Sequence, residues 1–246
     1  MFCPERLSRE QHDLGDTGDV ESIAENLVRV EERIAGALAR SGRKREEITL
    51  IAVTKTFPAE ATRAAWEAGL RVFGENYVQE FEQKSPQLLD LAGARYHLIG
   101  HLQSNKVNKA TPLFHRVQTV DSERLGRRLN DALVAPGAQP MEVMIEVKLS
   151  EEESKHGCAP SELGPLVSTL RELPNLRLVG LMTMPPFFDN PEDNRPYFAR
   201  LRELGAEYHL TELSMGMSND FEVAIEEGAT HVRLGTVLFG RRTKAK

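Results

Sequence analysis

Lys55 closes a run of apolar and β-branched residues, Ile48-Thr49-Leu50-Ile51-Ala52-Val53-Thr54, that reads as a buried strand. An ammonium at the end of such a run is costly to desolvate without a partner. It is an ion-pair member, a strand-end cation reaching solvent, or a reactive amine, and lysine is the side chain whose neutral form condenses with aldehydes. Towards the other end of the chain, Ser214-Met215-Gly216-Met217-Ser218 and Gly235-Thr236 combine small residues with hydroxyls. Backbone N–H and side-chain O–H groups in such stretches converge on phosphate, although the first stretch reads equally as a turn and helix cap. Arg233, two residues before Gly235, either faces the same space or pairs with a barrel carboxylate. An amine, an anion nest and a guanidinium describe a site for a phosphorylated aldehyde.

These residues need elements to bring them together. Ile23, Leu27, Val30, Ile34 and Leu38 recur at steps of four and three, which predicts an amphipathic helix over 21–40, stopped by Ser41-Gly42. Strand-like runs follow at 48–54, 70–73, 95–99, 116–120, 141–147, 176–181, 212–214 and 231–234, each followed by a helical pattern except the last. The alternation predicts an α/β fold, a single-domain (β/α)8 TIM barrel over 21–246, with an open doubly wound sheet as its rival. The chain after Thr236 is too short for a closing helix and its connection, so the helix over 21–40 is expected to take that place. In a barrel the functional face is formed by the C-terminal strand ends. Lys55, Asn76, His101, Asp121, Lys148, Thr183, Ser214 and Thr236 all fall there. The first, seventh and eighth strands are neighbours across the seam, and pyridoxal phosphate fits what they carry. Lys55 would hold its aldehyde, the nest its phosphate, and Arg233 would face its pyridine nitrogen, where a guanidinium disfavours protonation.

Composition narrows the class. A chain of 246 residues with 40% hydrophobic and 28% charged residues is long enough for one large α/β domain. The formal charge of -6 offers no basic footprint for nucleic acid, and no apolar run approaches a bilayer-spanning length. Cys3 and Cys158 form neither a disulfide framework nor a metal pattern, which suits a reducing compartment. Residues 1–20 are rich in charge and glycine and lack an apolar signal core, so a poorly ordered acidic tail and a cytoplasmic location are expected. Several residues have blander readings. His97 within a strand reads as a packed core histidine, Glu151-Glu152-Glu153 as a solvated loop, Trp66 as helix packing, and Met182, Met184, Met215 and Met217 as adaptable filler at the barrel mouth.

The segments Ala52-Val53-Thr54-Lys55-Thr56, Phe73-Gly74-Glu75-Asn76-Tyr77-Val78-Gln79-Glu80, His97-Leu98-Ile99-Gly100-His101-Leu102-Gln103-Ser104-Asn105-Lys106, Gly180-Leu181-Met182-Thr183-Met184, Leu213-Ser214-Met215-Gly216-Met217-Ser218-Asn219-Asp220 and Val232-Arg233-Leu234-Gly235-Thr236 closely resemble the pyridoxal phosphate homeostasis proteins. These are also known as proline synthetase co-transcribed proteins. The resemblance covers roughly 21–242 and leaves out the acidic tail. It implies a barrel like the N-terminal domain of alanine racemase, with pyridoxal 5'-phosphate held as a Schiff base, the internal aldimine, on Lys55. It further implies that Ser214 and Thr236, with backbone amides around Met215, Gly216, Ser218 and Gly235, hold the phosphate. Arg233 would partner the pyridine nitrogen, Asn76 and Met182 would lie near the ring, and His101 would line the pocket. The family often has serine where this chain has Thr54, which preserves the hydroxyl.

The resemblance implies a carrier in vitamin B6 homeostasis, buffering the cofactor or delivering it to apo enzymes that use it, as a monomer or weak dimer. The alternative is an amino-acid racemase or isomerase with Lys55 as base. Racemisation wants a base on each face of a planar carbanion. In the related racemases the second base is a tyrosine from another domain, which this chain is too short to include, and none of Tyr77, Tyr96, Tyr197 and Tyr208 sits in a recognisable catalytic context.

Overall fold

The computed structural model describes residues 22–133, 139–150 and 156–240. The acidic tail expected over 1–20 and the Glu151-Glu152-Glu153 loop lie outside the described residues. The first strand, β1 (Thr49–Val53), is apolar and buried from Leu50 onwards because both of its faces are covered. Leu50 and Ala52 join the layer between strands and helices, whereas Ile51 and Val53 are buried outside that layer, on the lumen side. Around it run β2 (Val72–Glu75), β3 (Arg95–Leu98), β4 (Arg116–Val120), β5 (Met141–Glu146), β6 (Leu176–Met182), β7 (Glu212–Met217) and β8 (His231–Leu234). All pairs are parallel, and β8 pairs back onto β1 through Thr49 opposite His231 and Ala52 opposite Leu234. The barrel is closed, so the open-sheet rival falls.

The helices between strands are α2 (Ala59–Glu67), α3 (Val78–Lys84), α4 (Val107–Ala110), α5 (Glu123–Ala132), α6 (Leu163–Glu172), α7 (Arg195–Glu207) and α8 (Phe221–Glu226). The helix preceding β1, α1 (Ile23–Ser41), opens on a capping box: the Ser22 hydroxyl accepts from Glu25 N at 3.2 Å, and Ser22 N donates to the Glu25 carboxylate at 2.8 Å. It ends at Gly42, whose φ of 68° is the left-handed cap that glycine adopts without strain. Its buried stripe, Val30, Ile34, Ala37 and Leu38, packs on α8 and on the last short helix, α9 (Thr236–Phe239). The N-terminal helix thus packs against the ring beside the one-turn α9, the place expected for it.

Two departures from the sequence reading matter for the site. The helical pattern expected after the third strand is only a 3-10 turn, Ser104–Lys106, followed by the four-residue α4. More consequentially, β7 extends three residues past its expected end at Ser214, to Met217. Its pairing with β8 shifts register between Ser214 opposite His231 and Met217 opposite Arg233. A strand with hydroxyl, methionine and glycine in its last turns looks like a loop locally, but the barrel wall supplies the ladder partners that make it a strand.

The lumen is layered. Its floor is ionic: Arg116 on β4 meets Glu142 on β5 through Nε at 2.8 Å, pairs with Glu212 on β7, and reaches His231 Nε2 on β8 at 3.0 Å. Above it His97 and Gln118 are hydrogen-bonded at 3.1 Å, and Ser214 donates to Gln118 Oε1 at 2.7 Å. His97 is therefore a packed, neutral histidine, its pKa held well below the usual value by burial and by Arg116.

Candidate functional site

A cavity of about 270 Å³ opens at the C-terminal mouth between β1, β2, β7 and β8. Lys55, Asn76, Ser218, Arg233, Gly235 and Thr236 all line it, so six of the residues singled out by sequence are brought together. Its walls are Val53, Phe57, Ile99, Met184 and Met217, with Pro186 and the 75% exposed Phe187 at the outer edge. An apolar slot with a few convergent polar groups is the ordinary form of a small-ligand site.

The loop that carries Lys55 is held from several sides. Lys84, the last residue of α3, buries its ammonium against Glu75 at 2.5 Å and donates to the carbonyls of Thr54 at 2.9 Å and Phe57 at 3.2 Å. The Thr54 hydroxyl donates to Glu75 Oε1 at 2.7 Å, and the Thr56 amide donates to Glu80. Thr56 sits at φ 62°, a left-handed conformation that a β-branched residue adopts only when its surroundings impose it. Burial pushes the Glu75 carboxyl up, against the opposing pull of Lys84. The Phe57 ring lies 5.1 Å from that of Phe239 on α9, which ties this loop to the opposite rim of the slot. Asn76 is set by a close approach: a Cβ on Gly100 would fall 2.3 Å from the Asn76 carbonyl oxygen, so only glycine lets the ends of β2 and β3 meet so closely.

The opposite rim is an anion cup. The Ser218 hydroxyl lies 3.4 Å from the amides of both Gly235 and Val237, at the start of α9. Its loop is pinned by Asp220, which accepts from Met217 N at 2.6 Å and from Asn194 at 2.7 Å. Burial raises the Asp220 carboxyl. Arg233 also lines the cavity; it is 3% exposed and donates to Ser214 Oγ at 2.8 Å and to the Thr183 carbonyl at 2.9 Å. Its hydrogen bonds go to neutral oxygens, which favours the pocket reading of this arginine over the carboxylate pair. Burial pushes its pKa down to about 10, with Asp220 and Glu146 pulling the other way, so it is cationic at neutral pH. Glu146, at the end of β5, is raised by burial to about 7, and its Oε2 has no hydrogen-bond partner among the described residues.

The remaining expected residues lie elsewhere. Ser214, expected on the phosphate, is fully buried below the cavity with its hydroxyl committed to Gln118 and Arg233; the extension of β7 places it a layer too deep to reach an anion at the mouth. Met215 points outward into the helix layer. Gly216, at φ 91°, has Ala224 Cβ where its own would stand, at 2.5 Å, so it serves the packing of α8. Met182 is fully buried and does not line the cavity. His101 lies in a different cleft, beside Asp121 and Arg124. The Val237 amide is the member that sequence reasoning misses. Ser218 is among the residues the sequence singles out, and the structure puts its hydroxyl beside the amides of Gly235 and Val237. The signal was present, since Ser218-Asn219-Asp220 is the Asx-rich turn before a helix.

A model of the alanine racemase N-terminal domain family matches residues 19–243. The pyridoxal phosphate homeostasis protein of Aquifex aeolicus is 45% identical over 227 residues, spanning 90% of this chain and 99% of that protein. Among solved structures, PipY of Synechococcus elongatus, with pyridoxal phosphate bound, is 37% identical with a TM-score of 0.79, over 89% of this chain and 100% of that one. Alanine racemase from Corynebacterium glutamicum shares the fold, with a TM-score of 0.60 at 19% identity, and this chain covers 63% of it. With a closed parallel barrel, a cavity at its mouth lined by Lys55, Ser218, Arg233, Gly235 and Thr236, and a homeostasis-protein relative matched along nearly its whole length, the chain belongs to the pyridoxal phosphate homeostasis proteins, built on the alanine racemase N-terminal domain.

Proposed function

We propose that this protein holds pyridoxal 5'-phosphate on Lys55 and acts in intracellular vitamin B6 homeostasis, buffering the cofactor or delivering it to apo enzymes that depend on it, without turnover of its own. The observation that carries the reading is one 270 Å³ slot lined by Lys55, Ser218, Arg233, Gly235 and Thr236, with the Ser218 hydroxyl beside the amides of Gly235 and Val237. The donor set fits the group: an amine for the aldehyde, neutral and amide donors for the phosphate, and apolar walls for the ring. When bound, the cofactor supplies an aldehyde for covalent attachment and a pyridine ring whose electron-withdrawing power depends on protonation of its nitrogen.

Lys55 binds covalently, and its loop, clamped by Lys84 and Glu80, keeps the amine aimed into the slot. Ser218 and the amides of Gly235 and Val237 orient the phosphate end. Arg233 faces the ring with a permanent cation, a donor that accepts no proton and so leaves the pyridine nitrogen unprotonated. That weakens the ring as an electron sink. Among the described residues no tyrosine lines the slot, and Tyr96 is packed against Phe73 and Phe81. The cytoplasmic expectation travels with this reading. It suits the free, buried thiol of Cys158, raised by burial to about 12, and no helix among the described residues is long and apolar enough to cross a membrane.

The test is an absorbance spectrum with pyridoxal phosphate, then borohydride reduction and mass mapping, on the protein and on Lys55→Ala. A visible band and a reduced adduct confined to Lys55, both lost in the variant while its circular dichroism is unchanged, are expected. Adducts scattered over surface lysines would overturn the assignment. Hydrogen–deuterium exchange at the α-carbon of amino acids separates the two functions: the carrier shows none, and exchange dependent on Lys55 would make the protein an enzyme.

A further inference from the structure

His101 takes no part in the cofactor slot, yet it is mounted with care. It follows Gly100, whose carbonyl accepts from the Thr119 hydroxyl at 2.8 Å, at the end of β3. Asp121 follows directly on β4 and precedes Ser122, the side-chain cap of α5. His156 arrives from the loop after β5, and the residues beside it are pinned: Val147 and Cys158 form a parallel bridge, Lys148 N donates to Cys158 O, and Cys158 N donates to Glu146 O, both at 2.9 Å. Gly157, at φ 117°, makes the turn, since a Cβ there would fall 2.9 Å from Lys148 N. Three adjacent strand ends thus present two imidazoles and a carboxylate at one point on the rim.

Their ligand atoms all lie within 4.8 Å of one another. The imidazoles of His101 and His156 are stacked with centroids 3.8 Å apart and planes inclined by 12°. His101 Nδ1 is 3.5 Å from Asp121 Oδ2, beyond a good hydrogen bond. The other Asp121 oxygen accepts from the Ser122 hydroxyl at 3.0 Å, which orients the carboxylate as supporting groups orient metal ligands. Donors at about 2.0–2.1 Å from a tetrahedral ion stand roughly 3.3 Å apart. Rotating the histidine rings out of their stack, a movement of at most about 1.5 Å, therefore brings all three onto one ion. Both histidines are exposed, so nothing packed opposes that rotation.

We infer that His101, Asp121 and His156 form a site for a divalent transition-metal ion of the zinc class, separate from the cofactor slot. Two imidazoles and one carboxylate select borderline ions over magnesium and calcium, which require more oxygen donors. Three protein ligands leave at least one coordination position open. Two of the three ligands, His101 and Asp121, line a cleft of about 910 Å³ together with Ser104, Ser122 and Arg124, from which water or an anion completes the shell.

The experiment is calorimetric titration of the chelator-treated full-length protein with zinc chloride and, separately, magnesium chloride, with cobalt(II) absorbance as a probe of coordination. One zinc ion per chain at micromolar concentration, no magnesium binding, and a loss of at least about 10- to 100-fold in His101→Ala, His156→Ala and Asp121→Asn are expected. The borohydride adduct at Lys55 stays unchanged in all three variants, which keeps this outcome distinct from that of the cofactor assignment. Binding no tighter than millimolar, or stoichiometric zinc uptake that survives the double His101→Ala, His156→Ala substitution, would overturn the site.

Discussion

The two ends of the barrel lumen both contain charge, and they use it differently. At the floor, Arg116 is satisfied by Glu142, Glu212 and His231, and Glu142 is further paired with Arg177 and Arg95. The Glu142 carboxyl is held low: burial raises it, and the hydrogen bonds and charges of Arg116, Arg177 and Arg95 outweigh that. At the mouth, Arg233 bonds only neutral oxygens, Glu146 has an orphaned oxygen, and the Ser218 hydroxyl makes contacts no shorter than 3.4 Å. Saturated charge makes a plug; unsaturated polarity makes a binding site. Lys84 and Glu75 are the exception at the mouth. Their charges are paired with each other, although Glu75 Oε2 is buried without a hydrogen-bond partner among the described residues, and they hold the reactive lysine's loop instead of meeting ligand.

The largest effect expected from breaking this contrast is on folding. Lys84→Met leaves Glu75, fully buried, without its cation, and should lower stability by about 3–5 kcal/mol, as removing one partner of a buried pair does. Arg116→Met should lower it by about 2–4 kcal/mol, less because Glu212 is partly exposed. Denaturant midpoints measure both. The two separate when cofactor capture is followed at a temperature where each variant is folded. Lys84→Met slows adduct formation on Lys55 and Arg116→Met leaves it unchanged; equal rates would deny Lys84 a positioning role.

The next effect distinguishes floor from mouth by pH. Glu146 is raised in the folded state to about 7 from 4.5, so its protonated form favours folding, and that contribution is lost as pH rises from about 4.5 through 7. His231 is depressed by burial to about 3 from 6.5, so its contribution is lost as pH falls from about 6.5 towards 3. Glu146→Gln should therefore gain on the parent at pH 8 by up to about 3 kcal/mol relative to pH 4.5, and His231→Gln should gain at acid pH. Melting curves between pH 4.5 and 8 that leave both difference profiles flat would remove the contrast.

The smallest effect tests the cup itself. Ser218→Ala should weaken cofactor retention about tenfold, roughly 1.4 kcal/mol for one lost donor, and make inorganic phosphate a poorer competitor. Ser214→Ala should leave phosphate competition unchanged and instead shift the absorbance band, because its hydroxyl holds Arg233. Dialysis followed by spectroscopy reads both, and the opposite pattern would restore Ser214 to the phosphate.

Much of this was legible in one dimension. The alternation of β-branched runs and amphipathic segments determined an eight-stranded barrel, because a strand covered on both faces must be apolar throughout and a helix covering it must carry a stripe. Lys55 at a strand end, and glycines and hydroxyls near 218 and 235, followed from the chemistry of those side chains alone. Tertiary structure decided the depth of each residue in the lumen. Whether Ser214 ends a strand or lies a layer below its end depends on ladder partners supplied by β6 and β8, at least 16 residues away in sequence for each contact, and no local propensity encodes them. The same holds for His101, which meets Asp121 and His156 only because closing the barrel sets three strand ends side by side, and for Lys84, whose carbonyl partners at Thr54 and Phe57 are brought to it by the pairing of β1 with β2.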